Sequence, residues 1–489
     1  MRIEDKLYEY SKSGFVPMHM PGHMRRRPGE ERRAIWPDPY SIDITEIKGF
    51  DNLNRPCDIY VSLQKELAGL YHCDRAYISV GGSTCGNLAM IYTCLHDKDH
   101  ALTAADCHKS VWHALALSHA VPVLLDPVTD ENGISMGYDP YDIERCLEKD
   151  RKIKAVIITS PTYEGVESDI SAISDICKKN KVLLIVDAAH GAHSVFRDAD
   201  GKALFCHNPM EAGADMAVVS LHKTLPALTQ TACILLNESD IAHEDLEESM
   251  RIFQTSSPSY VLTSSVSECM SFLKEKGADA GRRFFSDLKV FYEKASCFES
   301  LRLLKPGIEG YPAIWRDPTK IVIITDKAGI TGKALSDMLR DEKIECEMAM
   351  HSFCLAMTSV ATTESDLECL FRALLDIDKK VSGSGKSEYD ESLYHSIIEK
   401  RKPSDKRKIR LDLSAASRHA WRYTDLYDAS GLIARDIVSV YPPGVPVLIP
   451  GQEIDMTIIK SISQALSDGL SVDGVNNGKI RVIDGRSDQ

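Results

Sequence analysis

An acid and an amine close two apolar runs in the middle of the chain. VLLIVDAAHGAH, starting at Val182, carries Asp187, and ADMAVVSLHKT, ending at Thr224, carries Lys223. Both runs are rich in Val, Ile, Leu and Met, are too short for helices, and end abruptly in polar residues. That pattern predicts buried parallel strands, the first ending at Asp187 and the second at Lys223. Reactive groups in open α/β sheets gather at the carboxyl ends of strands, so the two side chains are expected to face one crevice. The pairing suits pyridoxal 5'-phosphate. A lysine amine forms a Schiff base with its aldehyde, and a carboxylate keeps its pyridine nitrogen protonated so that the ring accepts electrons. Taken alone, Asp187 reads as a helix cap and Lys223 as a solvated loop residue. The neighbours change the balance: Ser220, His222 and Thr224 offer donors for a phosphate, and His190 follows Asp187 in DAAHGAH. His190 either orients Asp187 or the ring, or is a buried, hydrogen-bonded histidine.

The elements that must position these groups alternate. RAYISV, GGSTCGN and LAMIYTCL read as strand, turn and helix, with Ser83 and Thr84 at a helix start whose free N–H groups favour an anion. After a strand ending at Asp106, CHKS opens the helix SVWHALALSHA. Strand VPVLLDP, helix YDPYDIERCLEK, strand IKAVIITSP and helix ISDICKKN follow, predicting a mostly parallel sheet with right-handed crossovers. Thr162, at a strand end in SPTYEGV, is placed to reach the ring or its phenolic oxygen. His19 and His23 have a helical metal-pair spacing, but Pro21 and Gly22 break the helix this requires, so no metal site is expected. Asp43, Glu46 and Asp51 read mainly as capping or solvated acids and otherwise as partners for a cationic substrate tail.

PMHMPGH (17–23), VGGSTCGN (80–87), CHKSVWHA (107–114), SPTYEGV (160–166), VDAAHGAH (186–193), SLHKTLPALTQTA (220–232), QTSSPSY (254–260) and YPPGVPVLIPGQEI (441–454) occur in that order. This set resembles the Orn/Lys/Arg decarboxylase family of fold-type I pyridoxal-phosphate enzymes from about residue 15 to about residue 455, in the short bacterial form without an N-terminal wing domain. The resemblance implies decarboxylation of a basic L-amino acid (arginine, lysine or ornithine, with a slight lean to arginine) feeding polyamine synthesis. It implies that His108 stacks on the cofactor ring and that His23 lies near the site mouth. It also implies a homodimer with shared sites, in which Ser256 and Ser257 help bind the phosphate of the neighbouring subunit, and a substrate entrance bordered by the YPPGVP segment. Cofactor contacts are thus expected from Lys223, Ser83, Thr84, His108, Thr162, Asp187, His190, Ser220, His222, Ser256 and Ser257, with Lys223, Asp187 and His108 catalytic. An aminotransferase or another lyase on the same fold is the alternative, with Arg316 or Arg340 as a substrate-carboxylate clamp. A non-catalytic regulatory homologue is disfavoured because both Lys223 and Asp187 are present.

At roughly 150 residues per domain, a chain of 489 residues suggests about three domains. The expected division is an N-terminal segment (1–40), a large aspartate aminotransferase-like α/β domain with a mostly parallel sheet (41–298), and a smaller α/β domain (299–380). A Gly/Ser-rich linker (381–392) and a C-terminal α+β domain (393–489) complete it. A net charge of −14 argues against nucleic acid and anionic membrane partners; it reads first as solubility and otherwise as mildly favouring cationic small molecules. The 14 cysteines stand singly without CxxC spacing, as reduced thiols do, and no run approaches the ~18 apolar residues of a membrane span, so a cytoplasmic protein is expected.

Overall fold

The computed structural model describes residues 2–26, 38–237, 241–304, 310–382 and 407–484. Seven short Val/Ile/Leu/Ala-rich segments pair into one sheet: β1 (Arg75–Ser79), β2 (His100–Ala104), β3 (Val121–Leu125), β4 (Ile153–Thr159), β5 (Leu183–Asp187), β6 (Met216–Val219) and β7 (Ala232–Leu236). Their order is β1-β7-β6-β5-β4-β2-β3, and of the seven only β7 runs antiparallel. Strands buried on both faces need apolar residues throughout rather than in alternation, and β4 to β7 read this way. Each fully buried Val, Leu or Ile there contributes about 1.5–3 kcal/mol relative to exposure.

Helices α1 (Gly82–Cys94), α2 (Lys109–Leu117), α3 (Pro140–Lys149) and α4 (Ile170–Asn180) connect the parallel strands. Asp139 and Asp169 cap α3 and α4 by accepting the Tyr141 and Ala172 amides. α1 packs close on the sheet at Gly86, where an added Cβ would sit 2.5 Å from Val218 Cγ2. β6 ends at Val219, four residues before Lys223, which rides instead on the one-turn helix α5 (Leu221–Thr224). The expectation that Lys223 closes a strand is corrected here. The chain turns at Ser220, and the Lys223 and Leu225 amides donate to the Ser220 and Leu221 carbonyls.

The small domain is an antiparallel sheet in the order β8-β9-β11-β10, from β8 (Arg302–Leu303), β9 (Lys320–Ile324), β10 (Met348–Ala349) and β11 (Phe353–Met357). Helix Gly332–Asp341 packs on it, and helix Glu364–Ser382 runs to Ser382, two residues into the expected linker, whose remaining residues, 383–392, lie outside the described ones. The N-terminal segment is not a separate unit: Val16–Met18 pairs in parallel with Ile344–Cys346 of the small domain. Ala313–Arg316 likewise pairs with Val166–Ser168 of the large domain, tying the two together. Residues 407–484 form two small antiparallel sheets and the helix Met456–Ser467 around a core of Leu426, Val438, Ile459, Ile462 and Val482. No helix among the described residues is long and apolar enough to cross a membrane.

Candidate active site

Five strand ends and the turns after them open on one side of the large sheet, and a cavity of about 530 Å³ lies there. The side chains converging on it come from separate elements: Ser83 and Thr84 from α1, Asp106 and His108 after β2, Thr162 after β4, Asp187 and His190 after β5, and His222 and Lys223 on α5. The small domain adds Met350 and Phe353. The C-terminal region adds Val440, Tyr441, Val445 and Val447.

Asp187 is buried and oriented by two donors, the Asn87 amide at 2.7 Å and the Ala189 N–H at 3.1 Å. The same Asn87 nitrogen donates to Ser110 Oγ at 3.0 Å, which lies 2.8 Å from His108 Nδ1. The carboxylate and the imidazole are therefore set by one continuous chain of polar contacts. Burial pushes the His108 imidazole down to about 4, Asp187 opposing and Lys223 adding to the shift, so the ring is neutral at physiological pH. Gly444 of the C-terminal region, at φ +81°, abuts the His108 ring; an added Cβ would come within 3.2 Å of its Cδ2.

Lys223 Nζ lies 3.0 Å from His190 Nε2, and the His190 ring packs on Tyr163 with centroids 4.2 Å apart. Tyr163 donates to Glu347, which also accepts the Met20 amide at 2.7 Å. Burial lowers the Lys223 amine, with Asp187 and Glu347 opposing, and burial together with Lys223 holds His190 well below its ordinary value. His190 is buried and meets Lys223 through Nε2, a contact that neither sequence reading of it named. The PMHMPGH segment clamps this corner: the Gly22 amide donates to the His222 carbonyl at 2.7 Å, and no Cβ fits at Gly22 against the backbone of Thr224 and Leu225. Met20 and Pro21 reach the cavity; His23, half-buried, does not line it and accepts the Arg25 amide.

The far end of the cavity has an anion-binding character. Ser83 and Thr84, at the start of the thirteen-residue α1, and His222 line it there, while the first amide of the helix, Gly82 N–H, donates to the Gln230 carbonyl. His222 spends Nδ1 on the Thr231 carbonyl at 2.8 Å and keeps Nε2 for another partner. Ser220 is fully buried, and its Oγ has no hydrogen-bond partner among the described residues; the same holds for His190 Nδ1. Ser220 does not line the cavity; the amine, the fixed carboxylate and the anion cradle that do line it fit a phosphorylated aromatic aldehyde. Ser256 and Ser257 are not part of this cavity; both are exposed in the single chain. Asp43, Glu46 and Asp51 do not line it either, and Asp51 is taken up by the Cys57, Asp58 and Tyr60 amides. Among the described residues no group of His, Cys, Asp or Glu could hold a metal ion.

The arginines proposed for a carboxylate clamp are elsewhere. Arg316 is fully buried and donates to the Leu304 and Lys320 carbonyls, and Arg340 pairs with Glu345 at the surface. Sequence reasoning missed Asn87, Ser110, Tyr163 and Glu347. Asn87 had a signal, since it follows Thr84 by three residues, on the same face of α1.

Residues 3–293 match the family described as Orn/Lys/Arg decarboxylase, major domain, and the chain belongs to that family. It is 28% identical to the arginine decarboxylase of Bacillus subtilis over 477 residues, 96% of this chain and 94% of that one. It is also 28% identical to the arginine decarboxylase of Bacillus anthracis over 494 residues, 98% of this chain and 95% of that one. The structure of the Francisella novicida lysine decarboxylase LdcF superposes with a TM-score of 0.75 at 19% identity, covering 98% of this chain and 80% of that one. The architecture is that of a fold-type I pyridoxal-phosphate enzyme.

Proposed function

We propose that the chain removes CO2 from a basic L-amino acid, arginine ahead of lysine and ornithine, with pyridoxal 5'-phosphate held on Lys223. One observation carries the reading: the Lys223 amine, the Asp187 carboxylate and the His108 imidazole meet on a single cavity beside an anion cradle. Family membership supports the reaction class, and two arginine decarboxylases matched over nearly their whole length support the order of substrates. When bound, the cofactor supplies a protonated conjugated ring that takes up the electron pair left by the broken Cα–carboxylate bond.

The residues around it have separate tasks. Asp187, held by Asn87 and the Ala189 amide, keeps the ring nitrogen protonated. Lys223 would hold the aldehyde through Nζ, and the same amine would supply the proton that replaces the lost CO2. His108 and Thr162, which also line the cavity, would help hold the ring. Ser83, Thr84 and His222, with the amides of Ser83 and Thr84 at the start of α1, would hold the phosphate, and Ser220, buried behind the cavity, would back the turn that carries Lys223. Val440, Tyr441, Val445 and Val447 keep water out, which strengthens every charge interaction inside. The enzyme is a cytoplasmic homodimer in which Ser256 and Ser257, exposed on the single chain, complete the neighbouring subunit's phosphate site. Its amine product enters polyamine synthesis.

The test is incubation of the purified protein and cofactor with arginine, lysine and ornithine separately. Release of CO2 and the matching amine without a 2-oxo acid is expected, fastest with arginine. Transamination with no CO2 would overturn the reaction assigned.

A further inference from the structure

Three carboxylates line the cavity: Asp106, Glu164 and Asp187. Two of them are already engaged. Asp187 accepts from Asn87 and the Ala189 amide, and Asp106 accepts from the Tyr138 hydroxyl at 2.7 Å. Glu164 differs: Thr162 bonds its side chain, and no cation among the described residues is paired with it. Buried charges are ordinarily paired, because a desolvated carboxylate without a cation is costly. Burial raises the Glu164 carboxyl; its own amide and the Thr162 hydroxyl oppose the shift, and Asp106 and Asp130 add to it. The chain thus gives this carboxylate negative neighbours and leaves the positive one to be supplied.

A tight turn fixes where Glu164 stands. The Gly165 amide donates to the Thr162 carbonyl at 3.0 Å and the Thr162 amide to the Val166 carbonyl at 2.8 Å. Gly165, at φ +88°, has no room for a Cβ against Lys320 and Asp317. The residue before Glu164 faces the amine: Lys223 Nζ lies 5.8 Å from the centre of the Tyr163 ring. Met20, Tyr163, Met350 and Phe353, all on the cavity wall, pack in one apolar cluster with Val166, just past the turn. Ser135 lines the cavity too, between Ile134 and Met136 of that cluster, and its Oγ has no hydrogen-bond partner among the described residues. A basic amino acid carries three or four methylenes between its Cα and its charge. Bound by its amine beside Lys223, it needs an apolar wall for the stem and an anion for the tip, and this corner offers both.

We infer that Glu164 is a specificity-determining residue: its carboxylate receives the cationic tail of the substrate, a guanidinium or an ammonium, with Ser135 Oγ as a second acceptor. The inference rests on the function proposed above and names the group that selects a basic side chain. Asp187 is committed to the ring and Asp106 to Tyr138, so Glu164 is the lining carboxylate free for that task.

The test compares kcat/KM for arginine and for citrulline in the cofactor-loaded full-length protein. Citrulline has the same length and shape but an uncharged ureido group at its tip. Should lysine or ornithine turn over faster, the uncharged straight-chain amino acid of equal length takes citrulline's place. Glu164→Gln is expected to cut the ratio about a hundredfold, mainly by raising KM for the basic substrate, since the tail keeps its charge as the Cα–carboxylate bond breaks. Agmatine, the amine that arginine leaves, is expected to bind that variant about a hundredfold more weakly in calorimetry, a readout that needs no turnover. Glu164→Asp, which keeps the charge, is expected to retain most of the ratio, and the visible absorbance of the bound cofactor is expected to survive in both variants. Glu164→Ala repeats the test should the Gln variant not fold. An unchanged ratio in the Gln variant, an equal fall for charged and uncharged substrates, or loss of the visible absorbance overturns the inference alone. An unaltered protein that turns over none of the three basic amino acids overturns the proposed function and this inference with it.

Discussion

Asp187 is useful only if it is held in place, and two buried donors, the Asn87 amide and the Ala189 N–H, hold it. Removing Asn87 leaves a buried carboxylate short of a donor. Asn87→Ala is therefore expected to destabilise the fold by about 1–3 kcal/mol in chemical denaturation and to lower kcat, since Asp187 and, through Ser110, His108 lose their common anchor. Lys223→Ala is expected to abolish both turnover and the visible absorbance that develops on adding cofactor. Asp187→Ala is expected to retain some cofactor but lose most turnover, and near-normal turnover would contradict the electron-sink role. His108 and His222 are each pushed down to about 4 by burial, whereas the unfolded chain takes up protons near 6.5. The sign is that of a depressed folded value: stability is full above about pH 6.5 and is lost as pH falls toward about 4. Between pH 7 and 5 the loss at His108 is about 1–2 kcal/mol, and denaturation of His108→Gln is expected to show a smaller drop over that range. At this scale the convergence of Lys223, Asp187, Ser83, Thr84 and His222 on one cavity was legible, because residue type and a place at or just after a strand end are local signals. Glu347 was not. It meets Tyr163 across 184 residues of chain, and nothing near it in sequence marks it.

At the scale of elements, the site depends on how closely α1 approaches the sheet. Gly86 sits one residue before Asn87, with no room for a Cβ against Val218 and little against Ile234. Gly86→Ala is expected to cost about 1–3 kcal/mol through overpacking, seen as a lower melting temperature. It is also expected to weaken cofactor binding, because the same shift moves Asn87 off Asp187. The alternation of strands and helices was readable, since buried parallel strands and capped helices leave strong local signals. The mounting of Lys223 on α5 was not: one turn of helix after β6 has no periodicity of its own, and long-range contacts with Gly22 and Thr231 fix it.

For the whole molecule, the large domain alone does not enclose the cavity. The N-terminal strand joins the small domain, Met20 and Pro21 reach in from it, and Tyr441 and Val445 close the site from the C-terminal region. The parallel pairing of Val16–Met18 with Ile344–Cys346 spans most of the chain, which is why the first forty residues read as a separate segment. Ser256 and Ser257 belong to this scale too, since they act only across a subunit boundary in the proposed homodimer. Mixing the inactive Lys223→Ala protein with a Ser256→Ala/Ser257→Ala double variant under subunit exchange is expected to restore about a quarter of normal activity, because a hybrid dimer then holds one intact site. Activity no greater than the average of the two parents would contradict shared sites.

The most direct measurement is the position of the covalent label after borohydride reduction of the cofactor-loaded protein, read by peptide mass spectrometry. A single modified lysine at 223 is the result the account predicts. A label on Lys320 or on a surface lysine, with Lys223 unmodified, would contradict it.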